Sequence, residues 1–156
     1  MATTELMKTA LENALTSAVA IAESPRGPSL LAQAYHHAVF PGGARIRPQL
    51  TLAVARACGQ DDPALSMAAA VALELLHCGS LVHDDLPCFD DADTRRGQPS
   101  VHKKYGERIA VLTGDGLIVL AFQVLATVRA HHPERVAALT SVIAQSVGAP
   151  DGIVAG

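Results

Sequence analysis

The chain has 156 residues, of which 49% are hydrophobic and 17% are charged, and its formal net charge is −3. This length predicts a single domain, and the hydrophobic content excludes intrinsic disorder. The negative charge and an aromatic content of only 3% argue against a nucleic-acid-binding protein, which needs a basic surface and stacking side chains.

The cysteines and the N-terminal segment indicate where the protein resides. The three cysteines, Cys58, Cys78 and Cys88, form no Cys-x-x-Cys pair, and their odd number argues against a disulfide framework. We therefore expect reduced thiols in a cytoplasmic protein. The first twenty residues contain Glu5 and Glu12 and lack a basic start followed by an unbroken apolar run, so they do not predict a signal peptide.

Helical spacing of apolar residues dominates the first half of the chain. Helices are predicted over residues 4–22, from Ser29 as the N-cap to residue 39, and through Pro48 in a first turn to residue 58. The breaks between them fall at residues 24–28 and 41–43. Asp62 and Pro63 then predict the start of a long helix that reaches about His83. That helix is apolar on nearly every face, which places it at the centre of the protein.

The end of this central helix carries five carboxylates within ten residues, namely Asp84, Asp85, Asp90, Asp91 and Asp93, followed by Arg95 and Arg96. Like charges this close repel one another, so ordering them requires a cation. Mg²⁺ accepts one or two carboxylates and completes its shell with water and phosphates, and arginine binds phosphate oxygens in pairs. The pattern therefore predicts a site for a metal-bound diphosphate.

Two other interpretations of the acidic run were weighed. An EF-hand Ca²⁺ loop requires Gly at its sixth position and Glu at its twelfth, and counting from Asp91 these positions hold Arg96 and His102. A solvated acidic surface loop remains the alternative, but it does not explain why the run interrupts an apolar helical pattern without polar linkers.

The helix before the acidic run determines the geometry of the predicted site. Pro87 cannot donate a helical hydrogen bond, so we expect the helix to end near Asp85 and Asp90 to return towards Asp84 on a turn. His77 lies seven positions before Asp84 and hence on the same helix face, although a buried core histidine is the alternative. Gly79 and Ser80 are small, which would leave an open slot beside the helix.

The remainder of the chain predicts two further helices. One covers residues 107–130 and is broken in the middle by the segment 114–116, Gly-Asp-Gly. Its apolar part could span a membrane by length, but the central acid and the lack of anchoring aromatics favour a buried core helix that does not span a membrane. The other runs from Pro133 to about residue 147. No segment shows sustained period-2 alternation, so the predicted class is all-α.

Four motifs in chain order resemble those of the trans-prenyl diphosphate synthases (polyprenyl synthetases). They occupy residues 42–48, 74–77, 80–97 and 114–115. The resemblance implies an antiparallel helical bundle of the isoprenoid synthase type that works as a homodimer, with residues 1–156 as the N-terminal part of one such domain. It also implies a Mg²⁺-dependent prenyltransferase that condenses isopentenyl diphosphate with an allylic diphosphate through a carbocation.

The resemblance implies a role for each conspicuous side chain. The Mg²⁺ ligands would be Asp84, Asp85 and Asp90. The allylic diphosphate would lie beside Arg95. The diphosphate of isopentenyl diphosphate would be held by Arg47, His77 and Arg96.

Three positions bear on substrate affinity or on product length. Ala44 stands where the family usually has a lysine. The resemblance therefore implies either a lower affinity for isopentenyl diphosphate or a partial substitution of that lysine by Arg45. Gly79 and Ser80 occupy positions that shape the floor of the product tunnel in the family. Because both are small, the resemblance implies a product longer than farnesyl diphosphate, most simply geranylgeranyl diphosphate, as in carotenoid biosynthesis.

The family has a second aspartate-rich motif in its C-terminal half, and the acids after residue 106 form no such cluster here. We therefore expect the chain to be the N-terminal half of a synthase and nearly inactive alone. Two alternatives stay open: the same chemistry with farnesyl diphosphate as the product, and a non-catalytic helical subunit that binds diphosphates or a partner synthase.

Overall fold

The structure, a computed structural model, describes residues 2–23, 27–40, 42–59 and 61–156. Within these ranges the α-helices are α1 (Ala2–Ala20), α2 (Ser29–Val39), α3 (Ile46–Ala57), α4 (Pro63–Asp84), α5 (Val101–Tyr105), α6 (Glu107–Thr127) and α7 (Glu134–Val147). Two short strands, β1 (Thr94–Arg95) and β2 (Gln98–Pro99), pair as an antiparallel hairpin, and 3₁₀ turns cover Ile21–Glu23 and Ile153–Ala155. The predicted all-α class is confirmed.

Helices α4 and α6 form the centre of the bundle. They run antiparallel, because Gly79 of α4 lies against Leu117 of α6 whereas His83, one turn later, contacts Val111, which lies earlier in α6. Both helices are long and apolar enough to cross a membrane by length and composition alone. The apolar stretch of α4 is 67% buried within the bundle, which is the behaviour expected of a core helix, whereas that of α6 is only 39% buried.

The two ends of α4 form as the sequence predicts. At its start, Asp62 caps the helix by accepting the backbone N–H of Leu65 at 3.1 Å, and Pro63 occupies the first helical position. The second carboxylate oxygen of Asp62 accepts the N–H of His132 at 2.8 Å, which ties the start of α4 to the segment before α7. At the other end α4 stops at Asp84, as Pro87 predicts.

Two predicted features are wrong. Helix α6 continues through Gly114, Asp115 and Gly116 without a break, because side chains of neighbouring helices occupy the space beside the two glycines. Ser29 is the first residue of α2, and Pro28 stands at the N-cap without a side-chain cap. The predicted breaks at residues 24–26 and 41 lie outside the described residues.

Helix α1 packs its predicted apolar stripe onto the core. Leu11, Leu15, Ala18 and Val19 are all buried, with Leu15 completely inaccessible to solvent. They join a core cluster that α4 and α6 dominate. Residues 2–20 therefore form a packed helix of the bundle.

Candidate diphosphate-binding site

One face of α4 borders a cavity of about 360 Å³. The cavity is lined on the α4 side by Glu74, His77 and Leu81, and on other elements by Arg47, Arg95 and Arg96. The α4 residues are spaced three and four positions apart, which puts them on one helix face. The structure thus brings together the three side chains predicted to hold isopentenyl diphosphate, and it places Arg95 with them.

The cavity is electropositive. Burial lowers the pKa of His77 below its ordinary value of 6.5, and the positive charges of Arg47, Arg96 and Arg95 lower it further against the opposing charge of Glu74. His77 is therefore a neutral imidazole near pH 7. Three guanidinium groups around a neutral donor and acceptor suit a multivalent oxyanion, because each guanidinium can donate two hydrogen bonds to phosphate oxygens.

The acidic loop folds back onto the end of α4. The backbone N–H of Asp90 donates to the carbonyl of Asp84 at 2.9 Å, and that of Ala92 donates to the carbonyl of Asp85 at 3.2 Å. These bonds satisfy carbonyls that a helix end otherwise leaves without partners. Asp91 adopts a left-handed backbone conformation with φ of 47°, which lets the loop reverse. The predicted return of Asp90 towards Asp84 is thus confirmed for the backbone.

Asp84 and Asp90 are both exposed. They are the two residues whose backbone hydrogen bond closes the loop. Mg²⁺ typically takes one or two protein carboxylates and completes its shell with water and phosphate oxygens, so this pair suits such an ion next to a bound diphosphate. In the part of the chain that the structure describes, no group of three His, Cys, Asp or Glu side chains is gathered closely enough to hold a metal by protein ligands alone.

Asp85 has a different position from the one predicted. It is buried, and both of its carboxylate oxygens accept hydrogen bonds from Nε of Arg95 at 3.0 and 3.2 Å, with a further contact from Nη2. The hydrogen bond to Asp85 raises the pKa of Arg95 above its usual value, against the opposing effect of burial. The predicted role of Asp85 as a direct metal ligand does not fit this geometry, because its oxygens are already occupied. Asp85 instead holds Arg95 at the cavity.

Arg45 also departs from its predicted role. Its guanidinium is 6% exposed and donates to Glu12 at 2.8 Å, to Glu74 at 2.7 Å and to the carbonyl of Val39 at 3.0 Å. Burial alone would lower the pKa of Arg45, but the hydrogen bonds to the two glutamates raise it well above its usual value. The prediction that Arg45 replaces the missing lysine at position 44 is wrong in this geometry, because its donors bind protein groups.

Gly79 and Ser80 do not flank an open slot in this structure. Gly79 is buried against α6, where a Cβ atom would lie 3.1 Å from the carbonyl oxygen of Gly114 and 3.5 Å from Leu117. Ser80 is exposed and donates its hydroxyl to the carbonyl of His77 at 2.9 Å. The space expected beside Gly79 is filled by α6. This geometry therefore gives no support to the prediction that small residues at positions 79 and 80 leave room for a longer product.

Sequence reasoning missed the side chains that position the site. Glu12 and Glu74 hold Arg45, although Glu12 was considered only as an argument against a signal peptide. Lys103 forms ion pairs with Asp91 at 3.3 Å and Asp93 at 3.0 Å, which offset charge within the acidic loop. The sequence does contain a signal for Lys103, namely its positive charge, because a lysine shortly after five aspartates is a natural counter-charge.

The fold and the site define a class of protein: an all-α bundle in which an acidic turn at the end of the central helix lies next to a cluster of arginines. The chain belongs to the polyprenyl synthetase family, because the profile of that family matches residues 28–148. This confirms the resemblance stated from the four sequence motifs.

Individual relatives agree with this assignment. The chain is 58% identical over 146 residues to a geranylgeranyl diphosphate synthase of Cereibacter sphaeroides, covering 94% of this chain and 51% of that protein. It is 42% identical over 151 residues to a farnesyl diphosphate synthase of Geobacillus stearothermophilus, covering 96% and 49%. The chain therefore spans about half the length of the curated relatives it matches.

A solved structure supports the fold. A crystal structure of an FPP/GFPP synthase from Zymomonas mobilis aligns with a TM-score of 0.79 at 34% identity, over 99% of this chain and 56% of that one. The isoprenoid synthase type of bundle predicted from the sequence is thus confirmed.

Proposed function

We propose that these 156 residues form the diphosphate-binding N-terminal half of a homodimeric prenyltransferase that condenses isopentenyl diphosphate with an allylic diphosphate. The observation that carries the proposal is the cavity in which Arg47, His77, Arg95 and Arg96 meet. The exposed Asp84 and Asp90 do not line this cavity, but both are close enough to Arg95 for their charges to raise its pKa. The family assignment and the names of the relatives support the same chemistry.

The position of each residue determines its proposed role. Asp84 and Asp90 would hold Mg²⁺, which supplies Lewis-acid stabilisation of the departing pyrophosphate. Arg95, fixed by Asp85, donates hydrogen bonds to the allylic diphosphate as negative charge develops on it. Arg47, Arg96 and neutral His77 bind the diphosphate of isopentenyl diphosphate and orient its double bond.

The reaction then follows from this arrangement. The allylic C–O bond breaks and its electron pair leaves with pyrophosphate, and the double bond of isopentenyl diphosphate then attacks the allylic cation to form a new carbon–carbon bond. The resulting cation loses a proton from the adjacent carbon to the released pyrophosphate, and the C–H electron pair forms the new double bond. The apolar helices α4 and α6 suit this chemistry, because water next to the cation would quench it.

Geranylgeranyl diphosphate is the product we propose. It is supported by two relatives named geranylgeranyl diphosphate synthase, at 58% and 56% identity, against 42% for the farnesyl diphosphate synthase. Farnesyl diphosphate is the alternative product, and chromatography of the reaction products distinguishes the two.

Calorimetry tests the binding half of this proposal on the 156-residue chain, with pyrophosphate titrated in the presence of Mg²⁺. Arg47→Gln removes a cavity guanidinium and is expected to weaken pyrophosphate affinity by about tenfold to a hundredfold, since hydrogen bonds to charged groups contribute about 1.5–3 kcal/mol. Arg56→Gln is the matched control, because Arg56 is an exposed arginine of the same helix and does not line the cavity. Equal affinities for the two variants, or no binding by the unmodified chain, would contradict the proposal.

A further inference from the structure

The segment 114–116, Gly-Asp-Gly, has no part in the proposed function, yet it lies in the middle of the central helix α6. Glycine is the least favourable helix-interior residue after proline, so two of them within three positions call for a packing reason. Residues two positions apart point to nearly opposite sides of a helix. Gly114 and Gly116 therefore face different neighbours.

Gly114 receives a side chain from α4. The imidazole of His83 occupies the space where a Cβ of residue 114 would be, so any larger residue would overlap its ring. The ring nitrogen Nε2 lies 3.3 Å from the carbonyl of Val111 and 3.5 Å from the carboxylate of Asp115. Because a carbonyl can only accept, Nε2 carries the proton in this contact.

Gly116 receives a side chain from α2. The hydroxyl and ring of Tyr35 occupy the space where a Cβ of residue 116 would be. Tyr35 is buried and belongs to the main core cluster. The two glycines thus form two notches on α6, the first filled from α4 and the second from α2.

Only the notch at Gly114 lies next to the candidate site. His83 directly precedes Asp84, and the carbonyl of Asp84 accepts the N–H of Asp90 at 2.9 Å. Gly79, one turn before His83, packs against the carbonyl of Gly114, so each of the last two turns of α4 contacts α6. The ring contacts tie His83 to α6, and a displacement of the His83 backbone would move the carbonyl of Asp84 and the loop closure with it.

We propose that the Gly114 notch is a positioning device: by seating His83 it fixes the last turn of α4, and so sets the relative placement of Asp84 and Asp90. Its consequence for metal binding rests on the proposed function, whereas its consequence for the loop closure does not. The Gly116 notch holds α2 in the core and has no effect on the two aspartates.

The test compares Gly114→Ala with Gly116→Ala, two variants that each add one methyl group to the same helix. One readout is Mn²⁺ affinity in the presence of pyrophosphate, measured by electron paramagnetic resonance. The other is hydrogen exchange of the Asp90 amide, measured by NMR. We expect Gly114→Ala to weaken Mn²⁺ binding at least tenfold and to accelerate exchange at Asp90 at least tenfold. Gly116→Ala should lower the melting temperature and change neither readout.

His83→Ala is the third variant of the test, because it removes the imidazole ring that occupies the Gly114 notch. It should reproduce the faster Asp90 exchange, and adding Gly114→Ala to it should change Mn²⁺ affinity less than twofold. His83→Ala also serves if Gly114→Ala does not fold.

The outcomes separate the two proposals. Faster Asp90 exchange in Gly114→Ala or His83→Ala, with no Mn²⁺ binding even by the unmodified chain, would support the positioning role and contradict the proposed function. If both glycine variants change Asp90 exchange equally, or if His83→Ala leaves it unchanged, the positioning role is overturned.

Discussion

Replacing Arg45 with methionine should destabilise the protein strongly, because it leaves Glu74 buried without a counter-charge. The side chain of Glu74 is 2% exposed, whereas that of Glu12 is 42% exposed. Solvent therefore screens the ion pair between Arg45 and Glu12 but not the one between Arg45 and Glu74. The loss therefore comes mainly from Glu74. Removing one partner of a buried ion pair costs about 3–5 kcal/mol, a large part of the roughly 5–15 kcal/mol of a typical domain.

Urea unfolding followed by circular dichroism at 222 nm measures this loss directly. At this chain length, the same change lowers the melting temperature by roughly 6–20 °C. The double variant Arg45→Met/Glu74→Gln should recover at least about 1 kcal/mol of it, because the neutral amide tolerates burial better than an unpaired carboxylate.

Arg135→Met is the matched control. Arg135 also pairs with a carboxylate at 2.7 Å, that of Asp61, but both side chains are about half exposed, and we expect no measurable loss of stability. The reasoning is refuted if Arg45→Met and Arg135→Met unfold at the same urea concentration, or if the double variant recovers nothing.

Three further predictions concern the site and the start of α4. The C2 proton of His77 should titrate below pH 6.5 in NMR spectra, and added pyrophosphate should raise that pKa, because a bound anion favours the protonated ring. Asp62→Ala should lower the melting temperature by several degrees at pH 7. Burial alone would raise the pKa of Asp62, but backbone hydrogen bonds lower it, so its contribution is present above pH 3.8 and lost as the pH falls through the lower folded value. Arg95→Lys should weaken pyrophosphate binding about tenfold in calorimetry, because an ammonium group cannot bond to both oxygens of Asp85 and also bind phosphate in pairs.

Each of these has a clear contrary result. A His77 titration unaffected by pyrophosphate would place the anion elsewhere. A destabilisation by Asp62→Ala that is the same at pH 3 and pH 7 would show that the charge of the cap does not contribute. Full pyrophosphate affinity in Arg95→Lys would mean that the pairing with Asp85 does not orient a phosphate-binding group.

Local chain chemistry made the course of α4 predictable from the sequence. Asp62 and Pro63 predict its start, Pro87 predicts its end, and the helical period places His77 on the face that borders the cavity. These features depend on neighbouring residues in the chain, and the packing of α4 agrees with them.

Two of the wrong predictions depend on residues far apart in the chain. Arg45 is bound by Glu12 and Glu74, which lie 33 and 29 residues away, and nothing in the motif at residues 42–48 shows them. The continuity of α6 through residues 114–116 depends on His83 and Tyr35 from two other helices. Propensity alone predicted a break there, and tertiary packing overrode it.

The separation of Glu12, Arg45 and Glu74 along the chain also has a kinetic consequence. The ion pairs close two loops of about thirty residues each, and they gain strength only once packing has excluded water from Arg45. We therefore expect these contacts to form late during folding. Their loss should then accelerate unfolding and leave the folding rate nearly unchanged in stopped-flow experiments. The interactions around Arg45 would then determine the lifetime of the native state.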